Sequence, residues 1–310
     1  MEITPELVTI ITAIVGAITA IVVAIIQVRG QKEEKKKAEE KISKLAGQIQ
    51  SRDSSEASLL PIKHLDRVKT SKILRAGAVK HPPLSEFSWE KGEMVFSGYY
   101  VQLCKQVCVN NNIIVQFFPV DWTDIPDKVF KELDLDLVLS VFETVKRCEG
   151  GDFTCCFHKV RLTGLTNLQN SRVQTIDDLY KEDVRIVVTK GEAGWEFVTR
   201  ELKTPRHRLI VVENSNITEM MDYVLNDRVD VAICDEVSCQ EYASKNHNVK
   251  HIFRDDEVYI CKNCIMVPKH DNEFRDWVNE EFRKARNTPK LLEMENEILS
   301  DPLKLIRKYS

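Results

Sequence analysis

From residue 73 onwards, strand-like apolar runs alternate with segments whose apolar residues recur at helical spacing. The strand-like runs are rich in Val, Ile and Leu and lie at 73–79, 113–120, 135–141, 184–188, 209–212 and 229–234. Helices are expected at 99–110, at 125–133 and over 273–305, the last interrupted near Pro289. Strands that alternate with helices build a mainly parallel sheet covered on both faces, so the pattern predicts an α/β fold.

Length and charge exclude several classes of function. A chain of 310 residues can bury one or two substantial cores. Its 44 basic and 48 acidic residues give a net charge of −4, so no global basic field favours nucleic acid as a partner. The sequence contains no phosphate-binding glycine-lysine loop, no Ser-His set and no metal-ligand spacing of histidines. We therefore predict no cofactor, no metal and no enzymatic activity.

The segment from Leu7 to Val28 contains no charged residue and is dominated by Ile, Val and Ala. At ~1.5 Å per residue it reaches about 33 Å, which is enough to cross a hydrocarbon core of roughly 30 Å. A cleaved signal peptide fits less well, because no Lys or Arg precedes the run and a charged stretch follows it directly. Residues 7–28 are therefore expected to be a transmembrane helix, which makes the chain a single-pass membrane protein.

Basic residues and cysteines favour a cytoplasmic location for the rest of the chain. Six Lys and Arg residues lie in 29–41, directly after the apolar run, and none precedes it. Basic residues flank membrane helices on the cytoplasmic side. The nine cysteines show no regular disulfide-framework spacing, which favours a reducing compartment.

Residues 29–60 form a charged linker that is expected to be helical. Within it, Ala38, Ile42, Leu45 and Ile49 are spaced 4, 3 and 4 residues apart, which is an a/d pattern of less than three heptads. One interpretation is a short coiled-coil stalk that joins copies of the chain into a homo-oligomer. The other is a solvated helix beside the membrane, which the short length of the pattern favours.

Two apolar runs are followed by side chains that suit the two charges of an amino acid. Arg147 follows the run 134–142, and Asp235 ends the run 229–234. Sheets of α/β proteins present ligand-binding groups at the carboxyl ends of their strands. The guanidinium of Arg147 would match a carboxylate, and the carboxylate of Asp235 would match an ammonium group. Each residue also has an ordinary interpretation, Arg147 as a surface ion-pair residue and Asp235 as a helix cap.

The same region contains short motifs in a fixed order. They are Leu74-Arg-Ala-Gly, His81-Pro-Pro-Leu, Phe96-Ser-Gly-Tyr, Val120-Asp-Trp, Asp136-Leu-Val-Leu-Ser, Thr144-Val-Lys-Arg, Asp152-Phe-Thr, Val188-Thr-Lys-Gly, Arg228-Val-Asp-Val-Ala-Ile-Cys-Asp-Glu and Ile265-Met-Val-Pro-Lys. In order and spacing, residues 72–303 resemble the bacterial extracellular solute-binding proteins of family 3. They resemble, more distantly, the ligand-binding domains of ionotropic glutamate receptors.

The resemblance implies an α/β fold of the periplasmic-binding-protein type II-like class, with two lobes, two crossover strands and a ligand in the cleft. Lobe 1 would comprise 72–156 plus 264–310, and lobe 2 would comprise 157–262. The crossovers would lie near Thr154–His158 and Tyr259–Asn263. The resemblance also implies an extracytoplasmic location, which conflicts with the charge bias and leaves the side of the membrane open.

The resemblance assigns roles to several residues. In this family the position of Arg147 holds the α-carboxylate of the ligand, and the position of Asp235 holds the α-ammonium. His81 stands where an aromatic residue covers the ligand, and Trp122 stands where a second aromatic residue packs. Ser140, in the strand before Arg147, is also expected to line the site.

Two positions depart from the family pattern. Phe142 stands where a Thr is usual, and Glu192 places an anion where a Ser or Thr is usual. Lys190, Gly191 and Glu192 form a strand-to-helix turn whose backbone amides would help to hold the carboxylate. The departures leave open a smaller, cationic or amine-like ligand, and also a cleft that has lost its ligand.

Four cysteines fall on the expected crossovers, namely Cys155, Cys156, Cys261 and Cys264. Because the crossovers run side by side in this fold, the four thiols would gather at the hinge as a redox latch or a thiolate metal site. Buried cysteines without a function are the plainer interpretation. Cys261 and Cys264 would also point to opposite faces of an extended strand, which disfavours a shared metal.

These features predict a membrane-anchored solute-binding domain that clamps an amino-acid-like or small polar ligand between two lobes, for sensing or for delivery to a transporter. The expected partners are that ligand, the membrane through residues 7–28, a second copy through the stalk, and a membrane transporter or signalling protein. Two alternatives stay open: a dehydratase-like or lyase-like enzyme on the same scaffold, and a ligand-free scaffold with a decayed cleft.

Overall fold

The computed structural model describes residues 63–213, 217–253, 259–301 and 305–309. Among these residues, no helix is both long enough and apolar enough to cross a membrane. This finding corrects the expected location, a single-pass membrane protein with a cytoplasmic or extracytoplasmic domain, and we withdraw that prediction. The segments on which it rested, the apolar run 7–28 and the linker 29–60, lie outside the described residues.

Eight α-helices lie in the described part of the chain. They are α1 (His64–Ser71), α2 (Tyr99–Asn110), α3 (Arg147–Gly150), α4 (Ala193–Glu196), α5 (Ile217–Leu225), α6 (Glu236–Lys245), α7 (Asn272–Arg286) and α8 (Pro289–Ser300). A π-helical segment, Phe197–Glu201, continues α4. Pro289 begins α8, where the missing amide hydrogen costs nothing, and this confirms the expected break between the last two helices.

Thirteen strands lie in the same residues. They are β1 (Ile73–Ala78), β2 (Glu86–Glu90), β3 (Glu93–Ser97), β4 (Ile114–Pro119), β5 (Leu137–Phe142), β6 (Gly151–Phe153), β7 (His158–Asn167), β8 (Ile186–Thr189), β9 (Leu209–Val212), β10 (Val231–Asp235), β11 (Val249–Ile252), β12 (Ile260–Pro268) and β13 (Arg307–Lys308). β2 and β3 form a separate hairpin.

The main sheet has two parallel halves joined by two long strands. Its order is β4-β1-β5-β12-β7-β10-β8-β9. β4, β1 and β5 run parallel, as do β10, β8 and β9 at the other end. Between them, β12 and β7 pair antiparallel with each other and with their outer neighbours. We call the half built on β5 the first lobe and the half built on β10 the second lobe. The predicted lobe boundaries remain a prediction.

Buried apolar side chains connect the two lobes. Phe142 of the first lobe, Leu162 of β7 and Ile233 of the second lobe belong to one continuous core cluster. Each lobe also has its own smaller cluster, around Val138 in the first lobe and around Ala232 in the second. The carboxyl ends of β5 and β10 therefore meet across packed apolar surface, and the charged residues that follow them are held close to a dry core.

One expected helix is absent. Residues 125–133 form hydrogen-bonded turns after a short 3₁₀ segment, Trp122–Asp124. The amide of Lys128 donates to Asp124, but that of Leu133 donates to Lys128 and that of Leu135 to Val129, so the spacing of the bonds is irregular. Pro126 lies in the first turn of the expected helix, where a proline is tolerated, so it does not by itself explain the loss of the helix.

Candidate ligand-binding site

The chain after β5 folds so that Arg147 lies inside the protein. β5 is buried along its whole length, and a tight turn then brings the Arg147 amide to the side-chain oxygen of Thr144, at 3.2 Å. Arg147 begins α3 and is only 1% exposed. It is therefore not a surface residue, and a buried guanidinium requires partners for its charge and its hydrogen atoms.

Three groups surround the Arg147 guanidinium. Nη2 donates to Glu192 Oε2 at 3.0 Å, and Nη1 donates to the Phe142 carbonyl oxygen at 3.2 Å. The central carbon of the guanidinium lies over the Trp122 ring, 4.9 Å from its centre. Glu192 precedes α4 in the second lobe, so this ion pair joins the two lobes. The carboxylate that meets Arg147 thus belongs to the protein itself.

A second carboxylate of the second lobe contacts the same turn of the first lobe. Glu196 in α4 accepts hydrogen bonds from the amides of Val145 and Lys146, at 2.9 and 2.7 Å. Its side chain is buried, so both contacts lie away from water. Glu196 was not predicted from the sequence. Its position one helical turn after Glu192 is the signal that could have indicated it.

Asp235 lies at the carboxyl end of β10 and caps α6. Its Oδ1 accepts from the Ser238 amide at 2.9 Å, and its Oδ2 accepts from the Ser238 hydroxyl at 2.7 Å. The Cys234 thiol also donates to Oδ2, at 3.4 Å. The ordinary interpretation of Asp235 as a helix cap is therefore observed. Its part in ligand binding remains a prediction.

His81 is buried and lines the cleft between the lobes, and its role in covering a ligand remains a prediction. Its Nδ1 lies 3.1 Å from the Ser140 hydroxyl and 3.0 Å from Asn263 Nδ2, while its Nε2 has no hydrogen-bond partner among the described residues. Its ring meets the edge of Phe142, with centroids 4.8 Å apart. Burial lowers the pKa of His81, against the attraction of Asp235, so the ring is uncharged at neutral pH.

Ser140 has an unusual backbone within a strand. Its φ is +62°, a conformation that non-glycine residues rarely adopt, and its side chain is fully buried beside His81. Asn263, on β12, completes this polar group by donating to the Ser140 carbonyl at 3.4 Å. Asn263 was not predicted. A single amide inside the apolar run of β12 was the available signal.

Of the three residues expected from the turn before α4, one contacts Arg147. Lys190 Nζ forms an exposed ion pair with Glu213, at 2.6 Å. Gly191 has a φ of +76°, which only glycine adopts readily, and this conformation leads the chain into α4. Glu192 alone contacts Arg147, and it does so through its side chain.

Two adjoining cavities lie between the lobes. The narrow one has a volume of about 20 Å³, which is enough for one water molecule. It is lined by Phe142, Glu192 and Asp235, among other residues. The larger one has a volume of about 330 Å³ and is lined by His81, Pro82 and residues of α5 and α6. Ile217 lines both, so the two cavities adjoin at this residue.

Of the four cysteines at the expected crossovers, two are bonded to each other and two are free. Cys156 and Cys264 form a disulfide, with Cα atoms 4.5 Å apart. The Cys155 sulfur accepts from Arg283 Nε at 3.2 Å, and Cys261 is a free, buried thiol. Glu143 approaches the bonded pair, but sulfurs joined to each other offer no thiolate to a metal. The disulfide joins one cysteine from each expected crossover, which is the kind of pairing that the redox-latch interpretation implies.

A family model for the bacterial extracellular solute-binding proteins, family 3, matches residues 74–300. The chain belongs to this family. The match covers most of the chain and every residue of the cluster around Arg147 and Asp235. It confirms the family predicted from the ordered motifs, and it supports a ligand-binding role. A comparison with curated proteins gave no match.

Solved structures confirm the two-lobed type II-like fold. A cysteine-binding protein from Campylobacter jejuni has a TM-score of 0.61 at 20% identity, over 80% of this chain and 100% of that one. The ancestral amino acid-binding protein AncCDT-1, a precursor of cyclohexadienyl dehydratase, has a TM-score of 0.59 at 21% identity, over 76% and 98%. A histidine kinase sensor domain with similarity to periplasmic binding proteins has a TM-score of 0.60 at 16% identity, over 74% and 96%. At these identities the likeness shows the fold alone.

Proposed function

We propose that this chain is a non-enzymatic binding protein that holds a small, polar, amine-bearing ligand of amino-acid-like size between its two lobes. One observation carries the proposal. Phe142 and Glu192, together with Asp235, line one cavity where the carboxyl ends of β5 and β10 meet. Strand carboxyl ends at such a junction are the usual ligand positions of open α/β sheets.

Each neighbouring group suits a part of such a ligand. Asp235 is half-buried and would accept hydrogen bonds from an ammonium group. Phe142 and Trp122 stack with centroids 6.4 Å apart and would form an apolar wall. His81 Nε2, which has no partner in the described residues, would hydrogen-bond to a polar ligand atom. Ligand binding would hold the lobes together, and a transporter or signalling protein would respond to that state.

The ion pair of the buried Arg147 with the half-buried Glu192 favours a second candidate function. In this alternative the cleft is a ligand-free scaffold, and the pair simply fastens the lobes to each other. A protein of this kind would present one fixed surface to its partner and would respond to no small molecule.

Thermal unfolding of the full chain tests these possibilities. A panel of amino acids and short organic amines is added, and the melting temperature Tm is measured. A ligand at about 100 times its Kd adds about 2.7 kcal/mol to the free energy of unfolding. For a protein of this size that corresponds to a rise in Tm of about 5–10 °C.

Two matched variants locate the site. Asp235→Asn is expected to abolish the rise in Tm, because it removes the charge that faces the ammonium while asparagine still caps α6. Asp271→Asn is the control, since Asp271 caps α7 in the same way but lines neither cavity. Absence of any rise across the panel contradicts the proposal and favours the scaffold. Conversion of a panel compound, seen by mass spectrometry, favours an enzyme.

A further inference from the structure

The charges at the narrow cavity do not match those of an amino acid. Glu192 and Asp235 both line it. Within the described residues, Arg147 is the one cation in an ion pair with either of them. Two carboxylates and one guanidinium give a net charge of −1. A zwitterion has no net charge and suits a cavity with one group of each sign, so the narrow cavity is complementary to a cation.

Arg147 has little to offer a ligand carboxylate. Its guanidinium is engaged by Glu192, by the Phe142 carbonyl and by the Trp122 ring, and the residue is 1% exposed. A ligand carboxylate in the narrow cavity would meet Glu192 and not Arg147, because Glu192 lines that cavity and Arg147 does not. Asp235 differs, because its oxygens accept from uncharged donors of Ser238 and Cys234. Asp235 therefore keeps a negative charge that a ligand can neutralise.

The space beside Asp235 suits an apolar body. Ile217, Met221 and Val237 line the larger cavity, which adjoins the narrow one. Two lysines also line this cavity. Lys245 pairs with Glu241 at 2.6 Å. Lys80 keeps its charge, and its Nζ lies over the Phe87 ring, 5.1 Å from the ring centre.

We propose that Glu192 is a built-in counterion that stands in the place of a ligand carboxylate, and that the ligand is an organic amine without a carboxylate. This inference rests on the proposed function and names its ligand class. The ammonium of such an amine pairs with Asp235 in the narrow cavity, and its apolar body lies in the larger one. Glu192 meanwhile keeps the Arg147 charge compensated inside the protein.

Matched pairs of compounds test the inference. Each pair consists of an amino acid and the amine that remains when its carboxyl group is removed: phenylalanine and phenethylamine, leucine and isoamylamine, histidine and histamine. Kd values are measured by titration calorimetry on the full chain. The amine is expected to bind about 10- to 100-fold more tightly than its amino acid, the fold-change that one interaction with a charged group produces.

Replacement of Glu192 is expected to reverse this preference. Glu192→Ser frees the Arg147 guanidinium and makes room beside it, so the amino acid should bind more tightly than the amine, by a similar factor. Glu192→Gln removes the charge but keeps the size, so it should weaken the amine without strengthening the amino acid. The ratio of two Kd values within one variant is insensitive to a general loss of stability.

Glu213→Gln is the matched control. Glu213 is an exposed carboxylate that pairs with Lys190 and lines neither cavity. This variant should leave the preference for amines unchanged. A wild-type protein that prefers the amino acid overturns the inference and leaves the proposed function intact. Binding of neither compound, in the wild type or in Glu192→Ser, overturns both.

Discussion

At Gly194 the first turn of α4 packs directly against the backbone of β10. A Cβ atom at this position would lie 2.4 Å from the Ile233 carbonyl oxygen, far inside van der Waals contact. Glu192 immediately precedes α4 and Glu196 ends it. The absence of one side chain therefore sets the position of both carboxylates that contact the first lobe.

Gly194→Ala should move α4 away from β10. We expect the free energy of unfolding to fall by about 1–3 kcal/mol, as is usual for an overpacked position, measured by urea denaturation. Gly92→Ala is the control, because Gly92 has a φ of +87° but nothing within 4 Å, so only backbone strain of about 1 kcal/mol applies. An unchanged denaturation midpoint for Gly194→Ala would show that α4 does not pack this closely.

The sequence indicated the site residues that follow strands, but not the residues that form hydrogen bonds to the same region. Arg147 and Asp235 stand out because charges end apolar runs, which is a local pattern. Glu196 and Asn263 have no such pattern, since their roles depend on which backbone groups the fold brings to them. The partner of Arg147 was also unexpected: the sequence shows that Glu192 is an anion, but not that its carboxylate reaches across to the other lobe.

At the scale of elements, the disulfide ties the segment that leads into β7 to the middle of β12. Cys156 and Cys264 are separated by 108 residues in sequence, so the bond closes a long loop that contains all of the second lobe's strands. Closing such a loop restricts the unfolded chain and stabilises the folded one.

Reduction of this disulfide should lower the free energy of unfolding by about 2–5 kcal/mol. The measurement is urea denaturation with and without reductant. Cys264→Ser should show the lower stability in both conditions, whereas Cys155→Ser should still respond to reductant, because Cys155 is a free thiol. Denatured, unreduced protein should contain seven titratable thiols, the nine cysteines less the bonded pair. A count of nine would disprove the bond.

Helices whose apolar residues recur at a regular helical spacing were predicted well. The helix expected at 99–110 is α2, Tyr99–Asn110, because its apolar side chains recur at helical spacing and are buried. The segment 125–133 was also expected to be helical, but its backbone hydrogen bonds are irregularly spaced and it forms turns. β7 and β12 lie near the expected crossovers. Their pairing joins strands about 100 residues apart. The pattern of residues within a single sequence gives no direct sign of such a distant contact.

At the scale of the whole molecule, a buried ionic cluster connects β7 with the two last helices. Arg286 Nε donates to Glu295 Oε1 at 3.0 Å, and His158 Nε2 lies 3.2 Å from the same oxygen. Burial alone would raise the pKa of Glu295, but its contacts with His158 and Arg286 outweigh that effect and lower the pKa to about 2. Burial also lowers the pKa of His158.

Both shifts predict a loss of stability in acid. Below about pH 6.5 the unfolded chain protonates His158 while the folded chain does not, so stability falls as the pH decreases. Glu295 stabilises the fold fully above about pH 4.5, and this contribution is lost as the pH falls towards 2. Urea denaturation from pH 8 to 2 should show both declines.

Glu295→Gln separates the two effects. It should reduce the decline below about pH 4.5 and keep the one that begins near pH 6.5. The decline that remains comes from other carboxyl groups whose pKa is lowered by hydrogen bonds, such as Asp271 and Glu281. At pH 7 the substitution should lower the free energy of unfolding by about 2–4 kcal/mol, because Arg286 is left without its carboxylate. Glu280→Gln, at an exposed pair with Lys284, is the control and should change neither decline. A wild-type profile that is flat between pH 7 and 3 would contradict the assignment.

The class of fold followed from the sequence because alternation of strands and helices is a property of the whole region. The reversal of direction at β12 and β7 did not, since apolar runs look alike in parallel and antiparallel neighbours. The two lobes were therefore expected from the family motifs rather than from the strand pattern itself.

The contacts of Glu192 and Glu196 also bear on how any opening would proceed. Both carboxylates belong to residues one helical turn apart in the second lobe. Both contact one short loop of the first lobe, Glu192 at Arg147 and Glu196 at the Val145 and Lys146 amides. A separation wide enough to break one would break the other at almost the same moment. Opening would then be an abrupt, all-or-none event, with few half-open molecules in solution.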